Sequence, residues 1–127
     1  MKSLIKIATI SAFLIITCLL IGACGSEDFV QGKGKVDIYV TDNNTTTPTK
    51  LQNVSIVVRE NDAQGTVVNT ISNATDANGF YQWVSPTAGV GSKYYFTFSL
   101  TGYVTKSDTA TPNLTGDNAT LHIQLVQ

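Results

Sequence analysis

The chain has few of the side chains that do chemistry. Its 127 residues hold one histidine, His122, one arginine, Arg59, and two cysteines, Cys18 and Cys24. A zinc site built from imidazole and thiolate needs several such ligands close together, so zinc chemistry is excluded. No G-x-S-x-G turn is present, which removes the usual hydrolase nucleophile. Charged residues make up only 13% of the chain and balance to a net charge of −1. Without a basic patch, nucleic acid is excluded as a partner. There are three prolines, and no segment after residue 24 repeats its apolar residues with a helical period.

One long hydrophobic run is present, and it lies at the N-terminus. Lys2 and Lys6 precede an apolar stretch from Ile7 to Ile21, broken only by Thr9, Ser11 and Thr17. A basic start, an apolar middle and a small-residue exit form the pattern of a secretory signal. The competing reading is a plain membrane anchor, but a run of about 15 to 18 residues is short of the roughly 20 needed to span a bilayer. The exit, Ile21-Gly22-Ala23-Cys24, resembles the lipobox of bacterial lipoproteins. The resemblance implies signal-peptidase recognition of Ile21, Gly22 and Ala23, cleavage before Cys24, and lipid on the Cys24 thiol. Gly25 follows where aspartate would resemble an inner-membrane retention signal, so the expected location is the cell envelope, at the outer rather than the inner membrane.

This reading divides the chain into a signal peptide (1–23), a lipidated tether (24–34) and a folded part (35–127). The processed chain has 104 residues, with six basic against nine acidic side chains, a net of −3. Cys18 leaves with the signal and Cys24 carries lipid, so no internal disulfide can form. The domain must be held by packing and strand pairing. The tether GSEDFVQGKG is irregular, and ten residues extend to at most about 35 Å.

From Lys35 onward the pattern has period two. Val36, Ile38 and Val40 alternate with Lys35, Asp37 and Tyr39. The same alternation marks Val54–Val58, Tyr94–Leu100 and Leu121–Leu125. It predicts strands with one buried and one solvated face. Asn61–Gly65 and Thr75–Gly79 are turn clusters. Strands are also expected at 66–72, at 80–84 before a loop over 85–92, and near 103–108. Seven short strands predict an all-β, antiparallel, seven-stranded Ig-like or prealbumin-like β-sandwich.

Several pieces occur in a fixed order: Gly34-x-Val36, Leu51-x-Asn53-Val54-x-Ile56, Thr75-Asp76-x-x-Gly79-x-Tyr81-x-Trp83, Tyr94-x-Phe96-x-Phe98 and Gly102-Tyr103. The order resembles the carboxypeptidase regulatory-like domains, whose fold is a transthyretin-like (prealbumin-like) sandwich. It covers about residues 34–108. Two departures stand out. The 85–92 segment is longer than the usual link, and Leu51-Gln52-Asn53 stands where the family commonly has Pro-Leu-x-Gly. The resemblance implies a non-catalytic accessory to folding, adhesion or binding.

Candidate sites were weighed against plainer readings. His122 alternates with the apolar face of the last strand and is expected to face solvent. Asp76 and Asn78 supply two oxygens from one turn, fewer than the about six to eight that calcium takes, and an Asx turn accounts for them. No metal or cofactor is expected. Lys35, Asn118 and Glu60 are the conceivable members of an intramolecular Lys–Asn isopeptide bond, but the alternation puts Lys35 on the outer face. The sequons at Asn43, Asn44, Asn53, Asn73, Asn113 and Asn118 follow from a Thr- and Asn-rich composition. Among the aromatics, Tyr81, Trp83, Tyr94 and Phe96 are assigned to the core. Phe80 and Tyr95 alternate to the opposite faces and are the candidate ligand contacts. The function expected is a lipid-anchored, non-catalytic binding or structural module, with an envelope protein or polysaccharide as partner. The alternative is a carbohydrate-binding module using exposed aromatics.

Overall fold

The computed structural model describes residues 32–88, 91–113 and 118–127. Seven strands follow one another: β1 (Lys33–Asp42), β2 (Ser55–Glu60), β3 (Val67–Ile71), β4 (Phe80–Ala88), β5 (Tyr94–Ser99), β6 (Lys106–Ala110) and β7 (Ala119–Leu125). They form a three-stranded sheet in the order β4-β1-β7 and a four-stranded sheet in the order β3-β2-β5-β6. The period-two pattern becomes the two faces of each strand. Val36, Ile38 and Val40 of β1 are fully buried, as are Ile56 and Val58 of β2 and Phe96 and Phe98 of β5. Leu121, Ile123 and Leu125 complete the inner face of β7.

Trp83 joins the two layers. It lies on β4, and its ring meets Tyr94 at 4.7 Å and Phe96 at 5.3 Å, both edge-on, on β5 of the other sheet. Ser85 and Tyr94 add a buried hydroxyl–hydroxyl hydrogen bond of 3.0 Å across the same gap. The architecture is therefore a β-sandwich with a shared aromatic core, as the alternation predicts.

Two expectations are corrected. The sandwich is not wholly antiparallel, because β1 and β7 pair in parallel, Val36 beside Ala119 through Asp42 beside Leu125. The other four pairings are antiparallel. The cause is a change of sheet. β6 ends with Ala110 beside Tyr94 in the four-stranded sheet, and β7 then starts beside Val36, near the beginning of β1. From that end it can only run in the direction of β1. Alternation has the same period in parallel and antiparallel pairs, so the sequence pattern does not distinguish them.

The second correction concerns 85–88. Expected as loop, they continue β4, and Ala88 aligns with Lys33 across an irregularity in which four steps of β4 oppose two of β1. Pro86 is tolerated there because β4 is an edge strand and Pro86 lies within the interrupted register, where no regular ladder hydrogen bond is asked of it. β1 likewise begins at Lys33 and so takes in the last two residues of the stretch assigned to the tether.

The turn at 75–80 shows why its residue types are needed. The buried Thr75 hydroxyl donates to the Leu51 carbonyl at 2.8 Å and accepts from the Val54 N–H at 2.9 Å. Asp76 Oδ1 accepts from the N–H groups of Asn78, at 2.8 Å, and Phe80, at 3.0 Å. Gly79 has φ 68°, and a Cβ there would lie 2.3 Å from the Val40 carbonyl oxygen. This is the Asx turn expected. Asn53 has φ 63°. It fills the place where glycine is common in the resembled family, and asparagine tolerates left-handed backbone better than most residues.

Candidate functional site

The outer face of β4-β1-β7 is a grid set by register. Val84 faces Lys35, Gln82 faces Asp37, and Phe80 faces Tyr39 across β4 and β1. Across β1 and β7, Asp37 faces Thr120 and Tyr39 faces His122. The alternation that buries Val36, Ile38 and Val40 sends all these side chains outward.

Phe80, Tyr39 and His122 make an aromatic row across the three strands. Tyr39 and Phe80 have ring centroids 5.1 Å apart, and Tyr39 and His122 are stacked at 5.2 Å with their planes 14° apart. Tyr39 is 39% exposed. One row away lies a polar cluster. Asp37 Oδ1 accepts from Gln82 Nε2 at 2.7 Å, and Oδ2 accepts from Asn118 Nδ2 at 2.9 Å. The Gln82 amide, then the Asn118 amide, hold the Asp37 carboxyl below its ordinary value. These two bonds fix the carboxylate, while each amide keeps an oxygen and a second N–H for other partners.

Phe80 therefore lies on this grid, half-buried against Tyr39. Tyr95 does not join it. Tyr95 is in the four-stranded sheet, paired with Arg59 and Thr109, so the two candidate contacts sit on different sheets. His122 faces outward as expected, and its stacking on Tyr39 is new. Tyr39 went unremarked as a contact because period two marks it only as outward. Its neighbours are set by pairings 41 and 83 positions distant in sequence.

The isopeptide trio is not assembled. Lys35 is exposed, Asn118 is bonded to Asp37, and Glu60 is an exposed residue of the other sheet. The Asp42–Asn44 loop is organised by its own side chains: Asp42 Oδ1 accepts from the N–H groups of Asn44 and Thr49, at 3.1 and 2.8 Å. Chiefly the Thr49 bond lowers the Asp42 carboxyl. Among the described residues no three His, Cys, Asp or Glu side chains are grouped to hold a metal. An open groove of about 380 Å³ lies beside the start of β2 and the end of β5, with an uncharged lining that includes Asn53, Ser55, Asn73 and Thr101. Ile21, Gly22, Ala23 and Cys24 lie outside the described residues.

No protein-family model and no curated protein matches the chain. Among solved structures, the Bacillus anthracis TIE protein superposes with a TM-score of 0.58 at 22% identity, over 76% of this chain and 17% of that one. The chain thus spans about one-sixth of that protein, and the likeness is one of fold: the described residues are all-β, with the two-sheet architecture of a β-sandwich.

Proposed function

We propose that this protein is a lipid-anchored module of the bacterial cell envelope, attached through Cys24, that binds rather than catalyses. The observation that carries the binding reading is the outer face of β4-β1-β7, where an exposed tyrosine stacks on His122 and packs tilted against Phe80, beside an immobilised carboxylate. Surface aromatics held next to fixed polar groups are a recurrent recognition arrangement. Support for anchoring comes from the Ile21-Gly22-Ala23-Cys24 stretch behind an apolar run. Support for the carboxypeptidase regulatory-like family comes from the seven strands and from the structural work done by Thr75, Asp76 and Gly79. The lipid places the domain at a membrane, the outer one by the Gly25 rule, with an envelope protein or polysaccharide as its partner.

Anchoring is tested by treating expressing cells with globomycin, which blocks the lipoprotein signal peptidase. The unprocessed precursor is expected to accumulate, and Cys24→Ala is expected to leave the membrane fraction. Normal processing under globomycin would refute the assignment. The second reading, carbohydrate binding, is favoured by the aromatic row.

A further inference from the structure

We propose that Asn78-Gly79 is a modification site: a deamidation site that the fold holds unreacted and that reacts with water when the 75–80 turn opens. An Asn-Gly pair occurs once in the sequence. The inference is independent of what the β4-β1-β7 face binds.

The chemistry is intrinsic to the pair. The Gly79 main-chain nitrogen gives up its proton to hydroxide, and its electron pair forms a bond to Cγ of Asn78. The Cγ–Nδ2 bond breaks and ammonia leaves, closing a succinimide ring. Water then opens the ring. Breaking the bond from nitrogen to Cγ gives aspartate, and breaking the bond from nitrogen to the main-chain carbonyl carbon gives isoaspartate. In sum, water is consumed and ammonia released, with no change of oxidation state. Glycine obstructs the closure least, because it has no Cβ beside the attacking nitrogen.

The fold both requires this glycine and restrains it. Gly79 has φ 68°, and a Cβ there would lie 2.3 Å from the Val40 carbonyl oxygen, so glycine must follow Asn78. Gly79 is buried, and its N–H donates to the Asp76 carbonyl at 2.9 Å. Its own carbonyl accepts from the Val40 N–H at 2.8 Å, on the central strand of the sheet. Asp76 Oδ1 accepts from the N–H groups of Asn78 and Phe80, and the Asp76 N–H donates to the Phe80 carbonyl at 3.0 Å. Ring closure needs rotation about the Asn78 Cα–C bond, which swings the Gly79 N–H off Asp76 and the Gly79 carbonyl off Val40. The electrophile, by contrast, is open, since Asn78 is exposed. The rate is then that of the free peptide multiplied by the fraction of molecules whose turn is open.

The product marks the molecule. Isoaspartate routes the main chain through Cβ, which makes the path from Asp76 to Phe80 one carbon longer. The bonds between those two residues no longer close the same turn, and Phe80 begins β4 beside Tyr39. A chain that has opened here is changed irreversibly at the end of β4 that helps to set the outer face.

The test follows conversion of Asn78 by peptide mass spectrometry, in the full-length protein in detergent micelles at mildly alkaline pH. In denaturing urea, Asn78 is expected to convert before the other asparagines. Without urea its conversion should be at least about tenfold slower, and it should rise with urea below the global unfolding transition. Asp76→Ala removes two of the turn's bonds and is expected to speed conversion about tenfold in the folded protein, with no effect in denaturing urea. Circular dichroism melts establish that the variant is folded, and if it is not, the urea series on the parent decides. Equal conversion with and without denaturant overturns the inference. So does an unfolded chain that modifies other asparagines first, a folded Asp76→Ala that converts no faster than the parent, or a rate that changes only with global unfolding. Converted protein returned from urea is expected to melt below the parent, and an identical melt would overturn the marking.

Discussion

Asn53 and Gly79 both occupy left-handed backbone, for different reasons. At Asn53 the conformation alone is demanding. Asn53→Gly is expected to be nearly neutral, and Asn53→Ala to cost about 1 kcal/mol in chemical denaturation. At Gly79 the conformation combines with a backbone oxygen where a Cβ would sit. Gly79→Ala should therefore cost more than Asn53→Ala, about 2 kcal/mol or above, because Val40 cannot move without disturbing the central strand. Thr75→Val removes a buried hydroxyl that serves two backbone groups, and is expected to cost about 1–3 kcal/mol. The need for a turn at 75–79 was legible from Asp, Asn and Gly. The role of Thr75 was not, since its partners Leu51 and Val54 lie more than twenty residues earlier. Asp37 carries a pH dependence of defined sign. Its folded carboxyl is lowered by Gln82 and Asn118, so its contribution is present above the unfolded value of about 3.9 and is lost as pH falls through the lower folded value. Asp37→Asn should flatten the acid limb of a stability–pH curve below about pH 4, by less than about 1 kcal/mol because the group is near solvent.

At the level of elements, β1 is central in its sheet and β3 is an edge. Ile38→Ala on β1 should cost about 2–5 kcal/mol in a urea titration, by lost burial and the cavity left behind. Val67→Ala on β3, where the side chain is 47% exposed, should stay within about 0.5 kcal/mol of the parent. Strand positions were legible because alternation is local. Strand partners were not, because pairing joins residues distant in sequence, as Val36 joins Ala119. The extension of β4 through Pro86 was hidden for a similar reason: proline argues against a central strand, and only the sheet order reveals that β4 is an edge. The candidate site follows the same rule. Phe80 and His122 were each assigned outward faces, yet β1 had to come between their strands before Tyr39 could meet both.

For the molecule as a whole, period-two alternation from Lys35 onward, in a stretch that holds no cysteine, determined a packed two-faced β-structure held by its apolar core. The N-terminal residues carry the anchoring proposal by themselves, since the resemblance of Ile21-Gly22-Ala23-Cys24 to a lipobox lies in a short local run. The tertiary structure decided three things that no local pattern encodes. β7 runs parallel to β1, Phe80 and Tyr95 belong to different sheets, and Tyr39, Phe80 and His122 stand together beside Asp37. The physical reason is common to all three. Alternation states which way a side chain points relative to its own strand, while a binding face is made by register between strands, and that is settled only when the sheets assemble around Trp83 and the core it joins.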